Sequence, residues 1–153
     1  MRLLTRLALA AALVSPSSLA AQVSPLVGKW TIEWESGRRM ENGETTIIKS
    51  TGDLEISVSG DSLLASVTPR SRTDGMPAPK PFTMGGQRTA AGALFQQTSS
   101  VTINFNGEER QQTVTSKWSL SVDGATLQGS IARELPGMPI SPEPAPITGK
   151  RAN

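Results

Sequence analysis

The 153-residue chain has no histidine, no cysteine and no tyrosine, and its only aromatics are three tryptophans and three phenylalanines. Each absence removes a class of chemistry. Without His or Cys, zinc, haem, iron–sulfur and blue-copper sites lose their usual ligands, and catalysis loses its commonest general base and its best nucleophile. No disulfide staples the fold in any compartment. An excess of charge of one sign is lacking too. The 15 Lys and Arg face 13 Asp and Glu, and two of the basic residues, Arg2 and Arg6, sit in the leader-like start. Without them the balance is 13 against 13. A nucleic-acid partner calls for a basic stripe, with interleaved aromatics if the strand is single. Neither is present, so the pairs Arg38-Arg39 and Arg70/Arg72 read as solvated loop charges and no nucleic-acid partner is expected.

Long apolar runs are also missing. The run Leu7 to Val14 is far shorter than the ~20 residues of a membrane-spanning helix. Arg2 and Arg6 precede it, Pro16 breaks it, and Ser18-Leu19-Ala20 follows with small residues at the positions a signal peptidase inspects. Residues 1–21 are therefore expected to be a signal peptide cleaved near Ala20-Ala21. The product is exported, periplasmic or released, and residues 22–153 suit one domain. No cysteine follows the run, so a lipoprotein anchor is excluded.

What is present is β periodicity. Trp30, Ile32 and Trp34 alternate with Thr31, Glu33 and Glu35; Leu54, Ile56 and Val58 alternate with Glu55, Ser57 and Ser59. Leu63, Ala65, Val67, then Trp118, Leu120, Val122, then Leu127, Gly129, Ile131 repeat the pattern. Turn signals separate the runs: Asn42-Gly43, Ser59-Gly60-Asp61, Asn106-Gly107 and Asp123-Gly124. Shifting the chain by 64 residues lays residues 42–68 on 106–132 without a gap, with nine of 27 positions identical. Gly75-Met76-Pro77 and Gly137-Met138-Pro139 follow in each half, and each leads through further prolines to a similar strand. An internal repeat, about 28–90 and 92–153, is the reading. Its parity slips in one place: inward residues are even at Trp30 and Ile32 but odd at Val101, Ile103 and Phe105. A bulge between Leu94 and Val101 is expected to absorb the slip.

Four strands per half give an all-β, eight-stranded antiparallel up-and-down barrel, which removes sheet edges and encloses either packed side chains or one small ligand. Outward Lys29, Glu33, Glu35 and Glu55, with too few aromatics for two interfacial girdles, fit a lipid-spanning barrel poorly, and a barrel that does not span a membrane is expected. In such a meander the two Pro-rich loops, roughly 69–81 and 133–146, share one end with the Asn-Gly turns. That rim, with Met76, Phe82, Met138 and Ile140, is the candidate mouth. The same loops could equally fold over and plug the barrel.

The opening Leu26-Val27-Gly28-Lys29-Trp30-Thr31 resembles the first strand of lipocalin-like (calycin) barrels, where a G-x-W motif closes the base. Gly-Lys-Trp-Thr is also similar to the first strand of avidin-type barrels. The resemblance covers about one strand. It implies that Trp30 packs beside a basic side chain from late in the chain, Arg133 in first place and Arg151 in second. The second lipocalin motif, with its Tyr, and the Tyr of an avidin-type biotin site are absent. The resemblance therefore implies architecture, with small-molecule binding as a fold-level analogy.

Catalytic signals fail on inspection. Gly60-Asp61-Ser62-Leu63 spells an esterase motif, but that chemistry needs a strand-to-helix elbow and a His, and the repeat has Gly124-Ala125-Thr126-Leu127 there. Glu33 and Glu35 share the face opposite Trp30 and Trp34, which is the solvent face. No Asp-rich loop offers calcium a set of oxygens, and Gly85-Gly86 has no following helix to cradle phosphate. No catalytic residue, metal or cofactor is expected. The leading expectation is non-catalytic binding of a small, largely apolar molecule inside the barrel, lined by Trp30, Trp34, Ile56, Val58, Trp118, Leu120 and Ile131. The alternative is a structural or protein-interaction module that uses the Pro-rich rim. A binder should have a cavity opening between the loops, and an interaction module a filled interior with an exposed apolar rim.

Overall fold

The alternating runs pair as eight antiparallel strands in the computed structural model, which describes residues 24–105, 107–134, 136 and 143–153. They are β1 (Gly28–Glu41), β2 (Glu44–Ser59), β3 (Ser62–Arg72), β4 (Phe82–Arg88), β5 (Ala93–Phe105), β6 (Glu108–Asp123), β7 (Thr126–Glu134) and β8 (Ala145–Arg151). Each strand pairs with the next, and β8 pairs back onto β1 from Trp30↔Arg151 to Trp34↔Ile147. The result is the expected closed up-and-down barrel. The proposed signal segment, residues 1–21, lies outside the described residues. No helix of the described chain is long and apolar enough to cross a membrane.

Strand length shapes the wall. β4 and β8 have seven residues each, whereas β1, β2, β5 and β6 have 13 to 16. The end carrying the β1–β2, β3–β4, β5–β6 and β7–β8 connections is taken as the upper end. Above Phe82 and above Ala145 the short strands stop, while β2–β3 pairing continues to Ser50↔Arg72 and β6–β7 pairing to Thr115↔Glu134. The upper barrel is therefore two three-stranded walls with an opening above β4 and another above β8. Beyond the walls, the β1–β2 and β5–β6 hairpins run on as two-stranded ribbons.

The strand limits recur at the sequence offset. β6 lies 64 residues beyond β2 at both ends, and β8 lies 63 beyond β4. The hairpin glycines match as well: φ is 82° at Gly43 and 83° at Gly107, then 59° at Gly60 and 61° at Gly124. Gly60, first residue of the esterase-like word, thus occupies a turn between two strands.

The parity slip has a different origin from the one expected. β5 pairs with β6 in one unbroken register from Ala93↔Leu120 to Phe105↔Glu108, so no bulge lies between Leu94 and Val101. The irregularity is in β1, between Glu35 and Gly37, where Ser36 is the extra residue. Above it, Gly37↔Ile48 to Glu41↔Glu44 follow the same register as β5–β6 shifted by 64; below it, the pairing is displaced by one. The extra residue therefore sets Trp30, Ile32 and Trp34 facing inward.

The lower interior is filled. A void large enough for a ligand leaves its lining side chains accessible area, and Trp30, Leu54, Ala65, Val67, Phe95 and Leu127 have none. Glycine makes part of this density: a Cβ on Gly86 would run into the ring of Phe95, its cross-strand partner. Of the residues expected to line a cavity, Ile56, Leu120 and Ile131 also belong to this packed core with Trp30. Val58 does not. It is 48% exposed, because β2 has there reached its lower hairpin, one pair from the turn at Ser59↔Ser62.

Trp30 packs beside Arg151, the second of the two late arginines the resemblance implied, and not beside Arg133. The Arg151 guanidinium lies 4.4 Å from the Trp30 ring centre and donates to the carbonyls of Val27 and Pro25 at 3.1 and 2.6 Å. Trp30 Nε1 donates to Leu26 O at 2.8 Å. Arg133 cannot fill that role. β7 runs upward, so its eighth residue stands near the upper end, whereas the β1–β8 register places Arg151 directly beside Trp30.

Candidate binding site

The upper interior differs in character from the core below it. Trp34 is the last β1 residue to pair with β8, and Trp118 faces inward from β6 opposite Ile131. Their ring centres are 5.9 Å apart and tilted by 51°, and Phe82, first residue of β4, meets Trp118 edge-on at 6.0 Å. These are favourable aromatic geometries. Trp34 and Trp118 retain 5% and 3% exposure, and Phe82 is half-buried. Three rings thus gather at the level where the wall is interrupted.

A polar layer lies with them. The bulge turns Glu35 into the protein behind Trp34, so Glu35 is buried and not on the solvent face expected from simple alternation. Arg38 Nε donates to Glu35 Oε1 at 2.6 Å, and this bond, with the carboxylate charge, raises the Arg38 pKa. Ser50, fully buried, donates to Ser36 Oγ at 2.8 Å, and Ser36 donates to Ile48 O at 3.2 Å. The two hydroxyls thereby satisfy each other and the Ile48 carbonyl beside the bulge.

Arg133 reaches across the opening above β8. It continues the inward face of β7 two residues beyond Ile131, and its Nη2 donates to Glu35 O at 3.3 Å. That carbonyl lies above the last β1–β8 pair, so the side chain stands in for a missing ladder donor. Burial lowers the Arg133 pKa, and the Glu35 charge offsets only part of the effect. On the outer side of the same opening, a hollow of about 200 Å³ lies between Trp34, Glu35, Ile47, Lys49 and Pro146.

Of the rim residues read from sequence, Met76 is 56% exposed on the β3–β4 connection, anchored by Asp74, which accepts from Arg72 at 2.6 Å and from Met76 N at 3.2 Å. Met138 and Ile140 lie outside the described residues. The polar layer was missed. Gly37 inside a strand pattern, directly after Glu35-Ser36, was the available signal of a bulge. Among the described residues no three His, Cys, Asp or Glu side chains converge as a metal site. Comparison with protein-family models, curated proteins and solved structures gives no match.

Proposed function

We propose that this is an exported, lipocalin-like, non-catalytic binding protein for a small, largely apolar molecule, held in the upper part of the barrel and not in its depth. One observation carries the reading: Trp34, Trp118 and Phe82 come together where the wall is open. The filled lower core then serves as the floor of the site. The rings cover one another, so a ligand enters by displacing Phe82 or by sliding in through the opening above β8. Apolar area removed from water, at roughly 25 cal/mol per Å² before ordering costs, drives the binding.

The test is tryptophan fluorescence of the chain from residue 22, titrated with decanol and with an apolar dye. A saturable spectral change that Trp118→Leu abolishes is the expected result. If the folded protein responds to neither, the carrier reading is wrong. The interaction-module reading then takes its place, favoured by a specific feature: Met40, Ile47 and Met76 are exposed at the same end as the projecting ribbons.

A further inference from the structure

The ligand's chemical class follows from Arg133. Seven ion pairs join described side chains, and Arg133 is in none of them. The carboxylate whose charge acts on it, Glu35, is already held by Arg38. The guanidinium has five N–H donors, and the protein engages one Nη2 at a long 3.3 Å. No buried side-chain nitrogen or oxygen among the described residues lacks a partner, so the remaining donors are reached by solvent. This is a cation withdrawn from bulk water, unpaired, and still open on one side. It stands one inward position above Ile131, whose cross-strand partner is Trp118.

We infer that the upper site takes an amphipathic carboxylate, its head group paired with Arg133 and its apolar chain laid along Trp118 and Trp34; this rests on the carrier reading above. A planar carboxylate matches the guanidinium fork with two parallel N–H···O bonds. Its single charge matches the single charge of Arg133, which no described carboxylate pairs at ion-pair distance. A phosphate monoester carries nearly two charges and would want a second cation, but Arg38 is committed to Glu35 and Arg72 to Asp74. A quaternary ammonium head meets Arg133 as a like charge. The opposite opening is a poor rival: offset by 64 residues, Pro69 occupies the place of Arg133.

The experiment compares decanoate, decanol, decyl phosphate and decyltrimethylammonium, each below its micellar concentration, by the same fluorescence titration. Decanoate is expected to bind at least about tenfold tighter than decanol, as for a partly shielded charge pair, and tighter than the phosphate, with the ammonium weakest. In Arg133→Gln the ratio of decanoate to decanol affinity is expected to fall to about one. Arg133→Lys, which keeps the charge but not the fork, lies between. Urea unfolding of each variant confirms that the comparison is made on folded protein. Equal binding of decanoate and decanol overturns the inference and leaves the carrier reading standing, as does a preference that survives Arg133→Gln. Tighter binding of the phosphate also overturns it. Failure of all four compounds removes both.

Discussion

Removing Arg151 should cost more than removing Arg133, although the sequence ranks them the other way for closing the barrel. Arg151→Ala deletes two hydrogen bonds, to Val27 O and Pro25 O, and uncovers the Trp30 ring. Both bonds come from an exposed guanidinium, so the ordinary net value of about 1 kcal/mol each applies. The cation–π contact at an exposed site adds about 0.5–1 kcal/mol. The loss is about 2–3 kcal/mol. In a domain of this size each kcal/mol moves Tm by about 3–5 °C, so the melting point should fall by roughly 6–15 °C. The urea midpoint should fall by about 1–2 M. Arg151→Lys keeps a charge near Trp30 without the two-pronged hold, and about half the loss is expected. Arg133→Ala gives up one 3.3 Å bond and also releases a desolvated cation, two effects of opposite sign, so its change should stay under about 1 kcal/mol. Urea denaturation of the three variants decides the matter. A cost below about 0.5 kcal/mol for Arg151→Ala, or a larger one for Arg133→Ala, would refute the assignment of the base to Arg151.

Two neighbours on β2 should behave oppositely: Ile56→Ala, which empties a packed position, should cost about 2–5 kcal/mol, whereas Val58→Thr at the exposed hairpin end should change stability by no more than about 0.5 kcal/mol. Comparable losses in urea titrations would mean that the packing stops elsewhere. Asp74 should tie the β3–β4 connection to pH. Its carboxylate accepts from Arg72 and from Met76 N, which holds its pKa below the ordinary aspartate range. The folded value is thus below the unfolded one, so the contribution is complete above about pH 4 and is lost as pH falls through the folded value. In Asp74→Asn, stability measured from about pH 5 to 2 should fall less steeply than in the natural protein, and parallel curves would count against the anchor.

The fold was legible because alternation with period two and Asn-Gly or Asp-Gly turns are local signals, and four of the turn glycines do take positive φ. The interior face was legible for the same reason wherever a strand keeps one register: Trp34, Ile56, Trp118, Leu120 and Ile131 all face in. What could not be read was set by pairing between distant residues. The partner of Trp30 depended on which late arginine falls beside it across the β1–β8 seam, and that register is fixed by closure of the whole barrel. Glu35 looked solvent-facing because alternation counts residues and a bulge adds one. The parity slip itself was visible, but with one half offset against the other it gave no sign of which strand carried the extra residue.

That extra residue helps make the two openings unlike, although the strand limits around them recur at a 63- to 64-residue offset. By strand register Arg38 corresponds to Thr102 and Glu35, below the extra residue, to Ser100, so the opening above β4 has no counterpart of the Glu35–Arg38 pair. At the 63-residue offset of β4 and β8, Phe82 corresponds to Ala145. The ring that meets Trp118 from the β4 side is thus matched on the β8 side by a methyl group, and the cation Arg133 stands above it. β4 and β8 begin at matching register positions, opposite Val67 and Ile131, which leaves two lateral gaps at the same level. Side-chain differences fill one with an aromatic ring and leave the other with less bulk, more charge and an unpaired guanidinium. On the carrier reading proposed above, recognition of a single ligand needs one distinct opening, and these residues make the gap above β8 the distinct one.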